Sequence, residues 1–166
     1  MFRKLTLRPL TVGVLVTLIV AVLIVINNVS ASQACKQVKG DFTLTAVTGP
    51  ACNSPIGLCA TGVYRGSIRG TSTFTASGMI QTADTLQTDV VFVTGDSQIT
   101  TDGGVLLTKD AMSLRTVLEG TFAKVDVNRG GGTGDWANTT GLLTANGTFI
   151  LNSGGSGTYS GEICTH

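Results

Sequence analysis

The chain has 166 residues, of which 42% are hydrophobic and 13% charged, and its formal net charge is +1 at pH 7. This length supports one domain with one core. The small net charge excludes the basic footprint of a nucleic-acid-binding protein and the polybasic patch that binds anionic lipid.

The first predicted element is an export leader. Residues 1–8 carry three basic side chains and no acid, residues 9–26 carry no charge, and small polar residues follow. This order predicts a signal-peptide helix with cleavage after Ala31 or Ala34. The 18 uncharged residues also reach the short end of what spans a bilayer, so an uncleaved anchor is the alternative.

Cleavage and anchoring both export the rest of the chain. The predicted division is therefore a leader over 1–34 and one domain over 35–166, secreted or periplasmic, with membrane contact only through 9–26 if the leader stays. Cys35 also offers a lipoprotein site, which the residues before it fit poorly. Without the leader, eight basic residues face ten acidic ones, a net charge of −2.

Alternating apolar and polar residues indicate strands throughout the exported part. The predicted strands are 39–47, 61–76, 89–94, a fourth of 98–101 with 105–108 that is interrupted by a turn at 102–104, 113–127, and a final hairpin of 141–151 with 157–164. Residues between 76 and 89 form an irregular connection. Glycines recur within the strands, as they do where barrel strands bend. We therefore predict an all-β fold, a closed antiparallel barrel of about eight strands, rather than a sandwich.

The four cysteines all follow the leader, and an even number in an exported chain indicates disulfides. Cys52 and Cys59 flank a short turn-forming loop, so we predict that they pair with each other. This leaves Cys35 to pair with Cys164 and to join the first strand to the last. No zinc site is predicted, because the only histidine is the C-terminal His166 and no C-x-x-C occurs.

A glycine-rich segment, Gly131–Gly141, contains the only tryptophan of the chain, Trp136. Glycine permits unusual backbone angles and a lone tryptophan packs well in a core, so we expect a tight connection in which Trp136 closes one end of the barrel. The segment fits neither the dinucleotide fingerprint nor the phosphate loop.

This segment, the strand that follows it and the final Gly157–Cys164 resemble the allene oxide cyclase barrel-like and dirigent-like superfamily, especially its bacterial secreted members. The residues that carry the resemblance are Gly132, Gly134, Trp136, Gly141, Tyr159 and Gly161. The resemblance implies an eight-stranded antiparallel barrel. In that superfamily, plant members cyclise oxidised fatty acids and dirigent proteins steer phenoxy-radical coupling. The catalytic carboxylate of the plant cyclases has no match in this chain.

Two pairs of charged residues are the candidate site residues. Arg115 and Glu119 share one face of the predicted strand 113–127, so they either line the barrel as catalytic groups or lie in solvent. Arg65 and Arg69 share one face of the predicted strand 61–76, where they either bind an anionic ligand at the barrel mouth or form a polar outer surface.

Two functions fit this pattern. The first is a barrel that binds a small apolar ligand and acts as a cyclase or isomerase without a cofactor. The second is a non-enzymatic envelope or extracellular protein. A dry interior filled by Phe42, Phe74, Phe92, Phe122 and Phe149 would contradict the first function, and an apolar cavity with an inward acid would oppose the second.

Overall fold

The structure, a computed structural model, describes residues 34–81, 90–115, 121–129, 131–150 and 153–166. In residues 121–129 it describes the backbone and the Phe122 side chain. Contacts gather Gln33–His166 into one unit. The predicted signal-peptide helix and the two possible cleavage sites lie outside the described residues. No helix in the described part is long and apolar enough to cross a membrane.

The described residues form an antiparallel β-barrel. Its eight strands are β1 (Ala34–Val47), β2 (Cys59–Gly66), β3 (Gly70–Gln81), β4 (Val90–Thr101), β5 (Gly104–Arg115), β6 (Thr121–Arg129), β7 (Thr139–Ile150) and β8 (Gly154–Thr165). Each strand pairs with its neighbours in sequence, and β1 pairs with β8 to close the ring. The predicted all-β barrel is thus confirmed. We call the end where β1, β3, β5 and β7 finish the mouth end, and the opposite end the base end.

Several predicted strand boundaries are wrong. β3 continues to Gln81, into the predicted irregular connection, and the predicted strands 89–94 and 98–101 are both part of β4. The predicted strand 61–76 is a hairpin, because the chain turns between Gly66, whose φ of 105° suits glycine, and Gly70. Residues 98–108 belong to two strands that pair across the turn before Gly104. The predicted strand 113–127 divides into the end of β5 and the start of β6. The turn at 102–104 is predicted, but as an interruption of one strand rather than as the end of β4. Continuous alternation hides the other two turns, since both arms of a hairpin keep the same period.

Alternate side chains fill the barrel with aromatic rings. The Phe42 ring lies 5.5 Å from Tyr64 and 5.9 Å from Phe122, and Tyr64 lies 5.3 Å from Tyr159, between ring centroids. Space for the Phe42 ring comes from Gly157, where a Cβ would lie 2.7 Å from it. Phe122 and Phe149 are also buried and Phe74 is partly buried, but Phe92 is exposed on the outer face. Phe92 therefore takes no part in filling the interior.

The glycine-rich segment packs at the base end. A 3-10 turn, Gly134–Trp136, places the Trp136 ring against the core, and its Nε1 donates a 2.8 Å hydrogen bond to Thr101 Oγ1. Gly134 has a φ of 59°, and a Cβ there would lie 2.1 Å from the Gly103 carbonyl oxygen. The turn therefore depends on glycine to approach the β4–β5 connection.

Tyr159 fastens β8 to the β2–β3 turn at the base end. Its buried hydroxyl accepts a 2.8 Å hydrogen bond from the Ile68 N–H and donates towards the carbonyl oxygens of Ile68 (3.1 Å) and Arg65 (3.2 Å). Burial raises the pKa of this phenol above its ordinary 10.0, the hydrogen bond with Ile68 opposes the rise, and the charge of Asp41 supports it. The folded state thus favours the neutral phenol.

We expect Tyr159→Phe to lower the free energy of unfolding by about 1–3 kcal/mol at pH 7, because the Ile68 N–H loses its acceptor. The folded protein holds the phenolic proton more tightly than the unfolded chain, so this stabilisation is present below pH 10.0 and is lost as pH rises through the folded pKa. Urea unfolding of both proteins at pH 7 and pH 11 measures the effect. A difference that stays constant with pH would contradict the assignment.

Both predicted disulfides are confirmed. Cys52 pairs with Cys59 across the β1–β2 connection, seven residues apart, and Cys35 pairs with Cys164 across 129 residues. The second bond joins directly opposed positions of β1 and β8. The first and last strands are therefore linked by a ladder of backbone hydrogen bonds and by a covalent bond. Two disulfides are consistent with an oxidising extracellular or periplasmic location.

Candidate functional site

A cavity lies inside the barrel towards the mouth end. Its volume is about 40 Å³. Apolar and aromatic side chains form most of the wall, with two serines among them. The lining residues are Phe42, Leu44, Leu58, Ala60, Tyr64, Ser72, Phe74, Ser97, Met112, Phe122, Ala145 and Phe149. We call this space the mouth cavity.

Small residues on inward positions create the mouth cavity. Ala60 and Ala145 are fully buried there and leave room that larger side chains would fill. Gly95 faces the Phe74 ring, and a Cβ on Gly95 would lie 2.6 Å from it. Towards the base end, by contrast, the interior is closed by buried Ile68, Ile99, Leu106 and Leu143. The barrel is thus filled at its base and keeps its space near its mouth.

A buried acid lies beside the mouth cavity. Asp110 is 5% exposed and points inward from β5, two residues before Met112 of the cavity wall. Its Oδ2 accepts a hydrogen bond from the hydroxyl of Ser97, which also lines the cavity, and its Oδ1 accepts a 2.6 Å hydrogen bond from Thr108. We call these three residues the Asp110 cluster.

The Asp110 cluster connects the cavity surface to a carboxyl group. Ser97 and Thr108 are opposed positions of β4 and β5, and Asp110 lies opposite Gly95, where the missing side chain leaves room. A hydroxyl polarised by a carboxylate is a strong hydrogen-bond partner in a low-dielectric interior. Ser97 can therefore orient a polar group of a molecule in the cavity and is the point at which proton transfer to that molecule would begin.

Sequence reasoning did not identify Asp110. The signal was present in β5, where Leu106, Thr108, Asp110, Met112 and Leu114 alternate with exposed residues and are all buried. An acidic residue that occupies a position of the apolar face costs free energy to bury unless its carboxyl group is hydrogen-bonded. The register also places Lys124 and Asp126 of β6 opposite Met112 and Asp110, and the side chains of both lie outside the described residues.

The predicted site residues do not meet at this cavity. Arg65 is exposed and forms a 3.7 Å ion pair with Asp41 on the outer face, and Arg69 is exposed in the β2–β3 turn at the base end. Arg115 is exposed at the end of β5, and Leu114 and Phe122 are the residues that point inward. The inward alternative for Arg115 is therefore wrong. Glu119 lies outside the described residues.

One group of metal-ligand side chains occurs in the described ranges, formed by Cys35, Glu162 and Cys164. The two sulfur atoms are bonded to each other, which leaves a single carboxylate. The group has too few free ligands for a metal centre, since structural zinc sites use four.

Comparison of the chain with family models, curated proteins and solved structures found no match. The resemblance to the allene oxide cyclase barrel-like superfamily therefore stays an expectation carried by the glycine and aromatic motif.

Proposed function

We propose that the chain is an exported barrel that binds a small apolar molecule in the mouth cavity. The observation that carries the proposal is the coincidence of an apolar cavity near the barrel mouth with a buried carboxyl group behind one of its two serines. Ligand sites in proteins commonly combine an apolar wall with a few placed polar groups. The ligand expected here has an apolar body and one polar group that meets Ser97.

The reaction class expected within this proposal is an isomerisation or cyclisation without a cofactor. The Asp110 cluster supplies a proton acceptor, and the apolar wall supplies a shape that can hold one conformation of the substrate. The resemblance to a superfamily that contains cyclases supports the same class. Arg65 and Arg69 are not part of this site, because both lie on the outside.

A non-enzymatic structural role is the second candidate, and one measurement favours it. The cavity volume of about 40 Å³ is far below the volume of about 300–1,000 Å³ typical of ligand pockets. Binding then requires the ligand to displace partly buried side chains of the cavity wall, such as Leu44, Leu58 or Phe74. The experiment below distinguishes the two roles.

The fluorescent probe N-phenyl-1-naphthylamine tests whether the cavity accepts an apolar ring. We expect its emission to rise on addition of the wild-type protein and octanol to displace it. Ala145→Leu fills the cavity and should weaken probe binding at least tenfold. Ala111→Leu, the same change on the outer face of β5, should leave binding unchanged.

Overpacking costs about 1–3 kcal/mol, so circular dichroism must first show that Ala145→Leu is folded. If folded Ala145→Leu binds the probe as the wild type does, the cavity is not the binding site. If the wild type binds no probe, the structural role is favoured.

A further inference from the structure

Ser72 of β3 places a buried hydroxyl group in the wall of the mouth cavity. It is 7% exposed, whereas its neighbours Thr71 and Thr73 are exposed on the outer face. Within the described part of the chain, the Ser72 Oγ has no hydrogen-bond partner. Burying a hydroxyl group without a hydrogen bond costs free energy, so this position calls for a polar partner.

The residues directly opposite Ser72 on the neighbouring strands offer it no polar side chain. On β2 the opposed residue is Gly62, where a Cβ would lie 3.0 Å from the Ser72 Oγ. On β4 the opposed residue is the buried, apolar Ile99. A partner for the Ser72 hydroxyl would therefore come from inside the mouth cavity.

Ser97 is the second serine of the cavity wall and lies diagonally across from Ser72, since the register opposes Ser72 to Ile99 and Phe74 to Ser97. Diagonal neighbours on one face of a sheet have Cβ atoms about 7 Å apart, a gap that one hydroxyl group can bridge with two hydrogen bonds. Ser97 donates its only hydroxyl proton to Asp110. A ligand can therefore meet the Ser97 oxygen only as a hydrogen-bond donor, whereas Ser72 can donate to the ligand.

We infer, on the basis of the function proposed above, that the ligand of the mouth cavity is an alcohol whose hydroxyl group donates to Ser97 and accepts from Ser72. A carbonyl or ether oxygen can only accept, and a carboxylate would bring a second negative charge near that of Asp110. The hydrogen bond to Ser97 is strengthened, because Ser97 in turn donates to a carboxyl group in a low-dielectric interior. The ligand class is therefore an apolar body that carries a hydroxyl group.

Two isomers of the same formula test the hydroxyl requirement, because 1-octanol can donate a hydrogen bond and 1-methoxyheptane can only accept one. We expect octanol to displace N-phenyl-1-naphthylamine from the wild type at a concentration at least about fivefold lower than the ether. Ser72→Ala should weaken octanol by about fivefold and leave toluene, which has no polar atom, unchanged. Ser156→Ala, the same change on the outer face of β8, should leave all three competitors unchanged.

Ser72→Ala should also keep or raise the urea midpoint of the free protein, because the hydroxyl group that it removes has no partner among the described residues. A lower midpoint would show that this hydroxyl serves the fold and would overturn the alcohol assignment. Equal displacement by octanol and the ether, or unchanged octanol binding in Ser72→Ala, would overturn it too, while the cavity remains the binding site. A wild type that binds no probe would contradict the proposed function and the alcohol ligand together.

Discussion

Removal of the Cys35–Cys164 bond by alanine at both positions is expected to lower the free energy of unfolding by about 5 kcal/mol. The bond spans 129 residues, and a crosslink acts mainly by restricting the unfolded chain, so its effect grows with the length of the closed loop. The free energy of unfolding of a domain is only about 5–15 kcal/mol, so this change removes a large part of it. Guanidinium unfolding of the oxidised proteins measures it.

The Cys52–Cys59 bond is the internal control. It spans seven residues, and the same chain-entropy relation gives it only about 2.5 kcal/mol. Alanine at both of its positions should therefore cost about half as much. Equal losses from the two double variants would show that loop length does not govern stability here, and that the local contacts of each cysteine do.

The second large effect is expected at Asp110. Asp110→Ala removes the acceptor that the buried hydroxyls of Ser97 and Thr108 share, and removal of one partner of a buried hydrogen bond costs about 1–3 kcal/mol. We expect a total loss of about 2–5 kcal/mol. Asp110→Asn keeps one carbonyl acceptor and should lose less.

Asp96 on the neighbouring strand β4 is the matched control, because its carboxylate is exposed and pairs with Lys109 on the outer face. Asp96→Ala should change stability by under about 1 kcal/mol. A double-mutant cycle between Asp110→Ala and Ser97→Ala isolates the coupling within the cluster. If Asp110→Ala proves as stable as the wild type, the carboxyl group does not organise this part of the interior.

The sequence predicted the class of the fold because apolar residues alternate with threonines and glycines over most of residues 35–166. It also predicted both disulfides, since a turn-forming loop separates Cys52 from Cys59 and leaves one other pair. It did not predict where strands end. Gly66 and Gly70 are equally compatible with a bend within one strand and with a turn between two strands. These two possibilities differ in which residues pair across the sheet, and that register depends on residues far apart in the sequence.

The candidate site was harder to predict for a related reason. Arg115 was a candidate because it shares one face of the predicted strand 113–127 with Glu119. Which face of a strand points into the barrel depends on the strands that pair with it, and in β5 the inward residue is Leu114. Asp110 became identifiable only when its neighbours Ser97 and Thr108 were in place on opposed positions of two strands. No local sequence pattern shows that the Asp110 carboxyl group accepts hydrogen bonds from Ser97, 13 positions earlier, and from Thr108, two positions earlier.

The pairing of β1 with β8 also sets an order of events during folding. β1 is the first of the eight strands to be synthesised, yet one of its two neighbours is β8, the last of them. Until β8 has been synthesised, Ala34–Val47 has only β2 beside it and keeps one open edge. Ring closure and the Cys35–Cys164 bond therefore wait for β8, and a chain truncated before β8 would remain an open, association-prone sheet.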